Sequence, residues 1–296
     1  MIFSRISWGI WALVPVAAVT YHFGPGQTAY VLDRAARLQN QASDAQSEAQ
    51  LAQDAAYSKH LEAIVSRRKA FLEPSADNQR DALDASAVEE RAYAQAAATW
   101  KTTSDRFQEV LTTLGDSSPK EARDIRWAKA RADVRAGEIW TGIDELESLV
   151  TELDGSPKLD DALARAAREE LATAYYYGAR LLRLSGMPVQ EWRIESGKAR
   201  QHFRYLAERE LAKSTDNDGA NDAAKNYQRN LELVLNLEQS SLADLQGKPL
   251  PKDSPRAGKS GKRPGKRPGK RPGKGKGPPA QDGRGAGGPQ EIRDGW

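Results

Sequence analysis

Turn-forming residues divide the middle of this 296-residue chain at intervals that suit α-helices. Between residues 27 and 247 the composition is dominated by Ala, Leu, Glu, Gln, Arg, Asp and Lys, most of which favour helix. No run of alternating β-branched residues indicates a strand. Combinations of Gly, Pro, Ser, Asn and Asp interrupt the pattern near residues 74, 117, 156, 187 and 218. The sequence therefore predicts an all-α protein with short links between its helices.

The spacing of apolar residues supports this prediction. Ile143, Leu146 and Leu149 follow one another at intervals of three, which places them on one face of a helix. Such a face must be buried against a neighbour, and short links make consecutive helices antiparallel neighbours. Residues 78–247 are thus expected to form a domain of helical hairpins.

Residues 135–150 resemble the turn and second helix of a tetratricopeptide repeat. Gly137 lies at the turn, and Gly142 stands where the repeat has a small residue. Residues 98–111 fit the same template, with Ala98 in the place of Gly137, and a degenerate third unit turns at Gly186. The resemblance covers about residues 81–212. It implies antiparallel hairpins that bind a protein or peptide; a helical bundle without a binding groove is the alternative.

Residues 27–77 are rich in Ala, Gln and Ser, with sparse leucines. Leu38 and Leu51 are too far apart for a durable heptad seam of large apolar residues. We expect a long, mostly solvated helical stalk here, with a coiled-coil dimer as the alternative.

The first 26 residues contain an apolar segment. Residues 6–23 contain no Asp, Glu, Lys or Arg and one His, His22, and as a helix they would extend ~27 Å, about the thickness of a bilayer's hydrocarbon core. The segment predicts a membrane anchor, with a cleaved signal peptide or a buried helix as alternatives. Arg5 precedes it, so the positive-inside rule favours a single-pass protein whose body lies on the extracytoplasmic side of the cell membrane.

Residues 248–296 form a basic tail rich in Gly, Pro, Lys and Arg. Residues 256–276 hold ten Lys and Arg and no acidic residue, and Gly-Lys-Arg-Pro occurs three times. This composition predicts disorder and attraction to a polyanion. An anionic envelope polymer or lipid suits the predicted topology better than nucleic acid; a solubilising extension without a specific partner is the alternative. The residues predicted to bind it are Lys262, Arg263, Lys266, Arg267, Lys270 and Arg271.

Few residues here suit catalysis. The chain has no Cys and only three His, which are far apart in sequence, so we expect no metal site, no cofactor and no enzymatic activity. Three consecutive tyrosines cannot all face one side of a helix, so at least one should be exposed. Tyr175, Tyr176 and Arg180 are the residues predicted to contact a partner.

With its N-terminal apolar segment, helical hairpins and low-complexity tail, the chain resembles bacterial envelope proteins that carry tetratricopeptide-like domains. The resemblance implies a membrane-anchored, non-enzymatic scaffold that binds a protein partner. The alternatives are an accessory subunit of an envelope enzyme complex and a nucleic-acid-binding protein that acts through the basic tail.

Overall fold

The computed structural model describes residues 13–16, 19–21, 25–155, 161–213, 218–247 and 249–255. Over these ranges the chain is helical almost throughout and contains no strand, which confirms the predicted all-α class. No helix among the described residues is long and apolar enough to cross a membrane. The predicted anchor at residues 6–23 lies for the most part outside them, and so does the tail from residue 256 onward.

The helices follow one another with short links. From α1 to α7 each helix packs on the next, and α8 packs on α5. Their bounds are α1 (Pro25–Leu72), α2 (Ala76–Leu114), α3 (Pro119–Ala136), α4 (Ile139–Asp154), α5 (Asp161–Leu184), α6 (Val189–Lys213), α7 (Asp218–Gln239) and α8 (Leu242–Gly247).

Helices α1 and α2 form an antiparallel pair in which small residues of α1 face large residues of α2. The buried pair His60 and Glu89, joined by a 2.7 Å hydrogen bond, sets the register. In an antiparallel pair, the numbers of residues that lie opposite each other have a constant sum. That sum is 149 for His60 with Glu89 and also for two packed pairs, Ala56 with Tyr93 and Ala49 with Trp100. The same seven-residue spacing continues to Ala42 and Ala35, which share a cluster with Phe107 and Leu114.

The prediction of a mostly solvated α1 without a heptad seam is wrong on one face of the helix. Five alanines spaced by seven residues are each at most 3% exposed: Ala35, Ala42, Ala49, Ala56 and Ala63. Alanine side chains are short, so they let the two helices approach closely and leave room for the aromatic rings of α2. The seam was missed because large apolar residues were sought on α1, whereas they lie on α2.

Two shorter hairpins follow, α3 with α4 and α5 with α6. The turns expected at Gly137 and Gly186 are present, and both glycines have positive φ angles, 94° and 72°. Gly142 lies where α4 packs on α3, and a Cβ atom there would come within 2.5 Å of Val134 Cγ2. Only glycine fits at this close approach.

The structure has no turn at Ala98. Residues 76–114 form one continuous helix, because no helix breaker occurs between Ser75 and Gly115. Trp100 and Phe107, which suggested a repeat unit, belong instead to the packed face of α2 against α1. The tetratricopeptide-like prediction is therefore restricted to the hairpins from α3 to α6.

Candidate functional site

The predicted partner-binding tyrosines lie mostly inside the helical body. Tyr175 is 2% exposed, its hydroxyl donates a hydrogen bond to Glu147, and its ring stacks on His202 with centroids 5.9 Å apart. Tyr176 is half-buried and packs against two core clusters. Tyr177, also buried, has a pKa raised by that burial. Contrary to prediction, no tyrosine of the three is fully exposed.

Arg180 is also buried, at 6% exposure. Its Nη2 atom donates a 3.1 Å hydrogen bond to the carbonyl oxygen of Leu245, and burial lowers the pKa of the guanidinium. Arg180 therefore joins α5 to α8. Like Tyr175, it packs within the helical body.

His202 lies beside Tyr175 among charged groups. Burial, together with the positive charge of Arg168, lowers the pKa of His202 to about 4. Lys198 lies over the ring of Tyr175, with its Nζ atom 4.7 Å from the ring centroid. At neutral pH the imidazole is uncharged and acts as a flat packing surface. Among the described residues no group of His, Asp and Glu side chains could hold a metal ion.

Residues 249–255, which we call the strap, follow α8 and pack back on α1. They contain a turn in which the Ser254 N–H donates a 2.9 Å hydrogen bond to the Pro251 carbonyl oxygen. The composition of residues 248–296 had predicted disorder for this segment as well. Its Leu250 N–H donates a 2.9 Å hydrogen bond to His60 Nε2, which requires that the other ring nitrogen carry the proton and donate it to Glu89. The Leu250 side chain packs against Ala56 and Tyr93.

Farther along the strap, the backbone accepts hydrogen bonds from the side chain of Gln53, a residue of α1. Its Nε2 atom donates to the carbonyl oxygens of Lys252 and Ser254, at 3.1 and 3.2 Å. Gln53 is 1% exposed, so both amide hydrogens are used in a buried place where an unsatisfied donor would be costly. The Lys252 ammonium adds an exposed ion pair with Asp54 at 3.0 Å.

A buried arginine connects the strap with three helices. Arg135 of α3 is 4% exposed, and its Nη1 atom donates a 2.6 Å hydrogen bond to Glu170 of α5. Its guanidinium lies 5.6 Å from the ring centroid of Trp100 and 3.7 Å from a carboxylate oxygen of Asp253 in the strap. The strap is thus held by side chains from α1, α2 and α3.

Local sequence patterns could not predict the contacts of the strap. His60 and Gln53 lie on a polar stretch of α1, and their partners are about 190 and 200 residues away in the chain. The alanines at seven-residue spacing were the available signal, since they fix the face of α1 that is buried. His60 and Gln53 could then have been placed beside that face.

The end of the α1–α2 hairpin is the part of the body with the most exposed apolar side chains. Between residues 61 and 88, which we call the hairpin end, Ala63 alone is buried. Six large apolar side chains are exposed there: Leu61 by 40%, Val65 by 67%, Phe71 by 82%, Leu72 by 64%, Leu83 by 72% and Val88 by 40%. These exposed apolar side chains, within one stretch of 28 residues, make the hairpin end a candidate surface for binding another molecule.

The six basic tail residues predicted to bind a polyanion, from Lys262 to Arg271, lie outside the described residues. Comparisons with known proteins found no match to this chain among protein-family models, curated proteins or solved structures.

Proposed function

We propose that this protein is a membrane-anchored scaffold without enzymatic activity of its own. In this proposal residues 6–23 hold the chain in the cell membrane, and the body with its tetratricopeptide-like hairpins lies on the extracytoplasmic side and binds a protein partner. The basic tail contacts an anionic surface. The observation that supports partner binding most directly is the exposed apolar hairpin end.

The length of α1 suits this role. Its 48 residues extend ~72 Å, so the hairpin end is far from the proposed anchor. The alanine seam holds α1 and α2 together along most of this distance. A rigid two-helix arm of this kind would present Phe71 and its neighbours to a partner away from the membrane surface.

Site-specific photo-crosslinking tests the proposal. A benzophenone amino acid is placed at Phe71, and at Leu51 as the matched control, because both positions are exposed and apolar on the same helix, by 82% and 70%. In membranes of the producing cells we expect a discrete protein adduct from position 71 and none from position 51.

Three results would contradict the proposal. Absence of any adduct from position 71 in membrane-bound protein would remove the hairpin end as a docking surface. Recovery of the full chain as freely soluble material would remove the anchor. A reporter fused after Gly26 that stays in the cytoplasm would reverse the proposed orientation.

A further inference from the structure

The strap is bound to α1 through a histidine that has both ring nitrogens engaged. His60 is 5% exposed, its Nδ1 atom lies 2.7 Å from Glu89 Oε1, and its Nε2 atom lies 2.9 Å from the nitrogen of Leu250. A backbone N–H can only donate, so Nε2 must be an unprotonated acceptor and the ring proton must be on Nδ1. This contact with the strap therefore exists only while the imidazole is neutral.

The surroundings of His60 give a second proton a place to bind. Glu89 of α2 would keep its hydrogen bond to Nδ1 and would balance the charge of the imidazolium. Arg67 opposes this, since its Nη1 atom lies 3.4 Å from the other Glu89 oxygen, but its side chain is 41% exposed and is therefore screened by water. The rings of Tyr57 and Tyr93 pack around the imidazole, each with its centroid 6.2 Å from that of His60.

The charged groups of the strap have partners other than His60. The Lys252 ammonium pairs with Asp54, and the Asp253 carboxylate lies 3.7 Å from Arg135. From α5, Arg180 interacts electrostatically with the hydroxyl of Tyr93. Among the charged side chains that the structure describes, Glu89 is the one to which His60 is hydrogen-bonded.

We propose that the strap is a proton-sensitive latch, which leaves α1 when His60 takes up a proton. A protonated Nε2 would point its hydrogen at the Leu250 N–H, so two donors would face each other at a buried ring. The strap and the proton thus compete for one nitrogen atom.

The remaining contacts of the strap are few. They are two hydrogen bonds from Gln53, the apolar packing of the Leu250 side chain and the ion pairs of Lys252 and Asp253. The turn within the strap, closed by the Ser254 N–H, makes no use of α1 and can persist after release. Release would uncover the amide of Gln53, which is 1% exposed while the strap is bound.

Two measurements on the full chain in nonionic detergent, between about pH 7.5 and about pH 5, test the latch. Hydrogen exchange followed by mass spectrometry reports the strap. Dividing each rate by that of a free peptide of residues 247–255 at the same pH removes the chemical effect of pH on exchange. Nitrogen NMR of the histidine-labelled chain reports the imidazole, because the chain has three His and the signal absent from His60→Gln is that of His60.

We expect His60 to carry its proton on Nδ1 at about pH 7.5. Protection of the strap should fall by roughly 10-fold or more on acidification, with the same midpoint as the protonation of His60. His60→Gln should remove this fall, since its amide oxygen can accept the Leu250 N–H at every pH. His202→Gln is the matched control and should retain the fall, because His202 lies against Tyr175 instead of the strap.

Four results would overturn the latch. The first is a proton on Nε2 of His60 at about pH 7.5, since the ring could not then accept from Leu250. The second is constant protection of the strap while His60 becomes protonated. The third is an equal fall in His60→Gln, which would assign the effect to another group. The fourth is loss of the fall in His202→Gln, which would assign it to unfolding of the whole body.

The wild-type midpoints decide the case in which His60→Gln leaves the strap unprotected at every pH. Coincidence of the midpoint of strap protection with that of His60 protonation then supports the latch, and a difference between them refutes it.

Discussion

Replacing Ala49 by leucine tests the small-to-large packing of α1 against α2. Ala49 is fully buried and packs on Trp100 and Ala132, so three added carbon atoms have no space to enter. Overpacking of this kind costs about 1–3 kcal/mol. For a domain of this size, a loss of about 2 kcal/mol lowers Tm by roughly 4–8 °C. Ala55→Leu is the matched control because Ala55 is exposed on the same helix, and its effect should stay within about 0.5 kcal/mol.

The reverse substitution completes a double-mutant cycle. Trp100→Ala alone should cost about 3–5 kcal/mol, because it leaves a cavity at a residue that is 1% exposed. In the double variant the leucine at 49 fills part of that cavity. We expect the stability lost in the double variant to be smaller than the sum of the two single losses by about 1 kcal/mol or more.

Chemical denaturation followed by far-UV circular dichroism measures these differences, with thermal unfolding as a second readout. Equal stability of Ala49→Leu and Ala55→Leu would refute the reasoning. So would strict additivity in the double variant, since residues that share one packed site cannot be energetically independent.

Three further predictions concern single contacts. Gly142→Ala should lower the free energy of unfolding by about 1–3 kcal/mol, since its Cβ would lie 2.5 Å from Val134 Cγ2; urea titration measures this, and an unchanged midpoint would contradict the close packing of α3 and α4. Because folding lowers the pKa of His202 to about 4, the unfolded chain binds the extra proton first as pH falls. Stability should therefore decline from about pH 6.5 to about pH 4, by up to about 3 kcal/mol, and His202→Gln should remove that part of the decline; a parallel pH profile in the two proteins would speak against it. Arg135→Met should cost about 3–5 kcal/mol by leaving Glu170 buried without its closest cation, and adding Glu170→Leu should restore much of the loss; a double variant less stable than Arg135→Met would refute the pairing.

Local sequence patterns predicted the helices well because their determinants are local. Helix-forming composition and the glycines at 137 and 186 act within a few residues, and the structure has helices and turns at those places. The exact pairing of α1 with α2 could have followed from the alanine spacing, but the buried surface of alanine is small and gives a weak hydrophobic pattern. The missing turn at Ala98 shows the converse error, in which a packing motif was interpreted as a repeat motif.

The burial of Tyr175 and Arg180 could not be predicted, for a different reason. Whether Tyr175 and Arg180 face solvent depends on α6 and α8, which lie far along the chain, and no pattern within α5 contains that information. The strap depends on contacts about 200 residues apart, between Gln53 and Ser254. Such contacts are set by the assembled tertiary structure.

Because the alanines of the seam are regularly spaced, the seam alone does not determine how α1 and α2 are aligned along their length. Sliding α1 by one heptad against α2, in either direction, would again set an alanine opposite at least three of the four large residues Tyr93, Trp100, Phe107 and Leu114. The same slide would carry His60 away from Glu89 to face an alanine, Ala82 or Ala96, so the 2.7 Å hydrogen bond between the imidazole and the buried carboxylate would be lost. The hydrogen bond between His60 and Glu89 is thus a contact that the native alignment makes and a slide by one heptad does not.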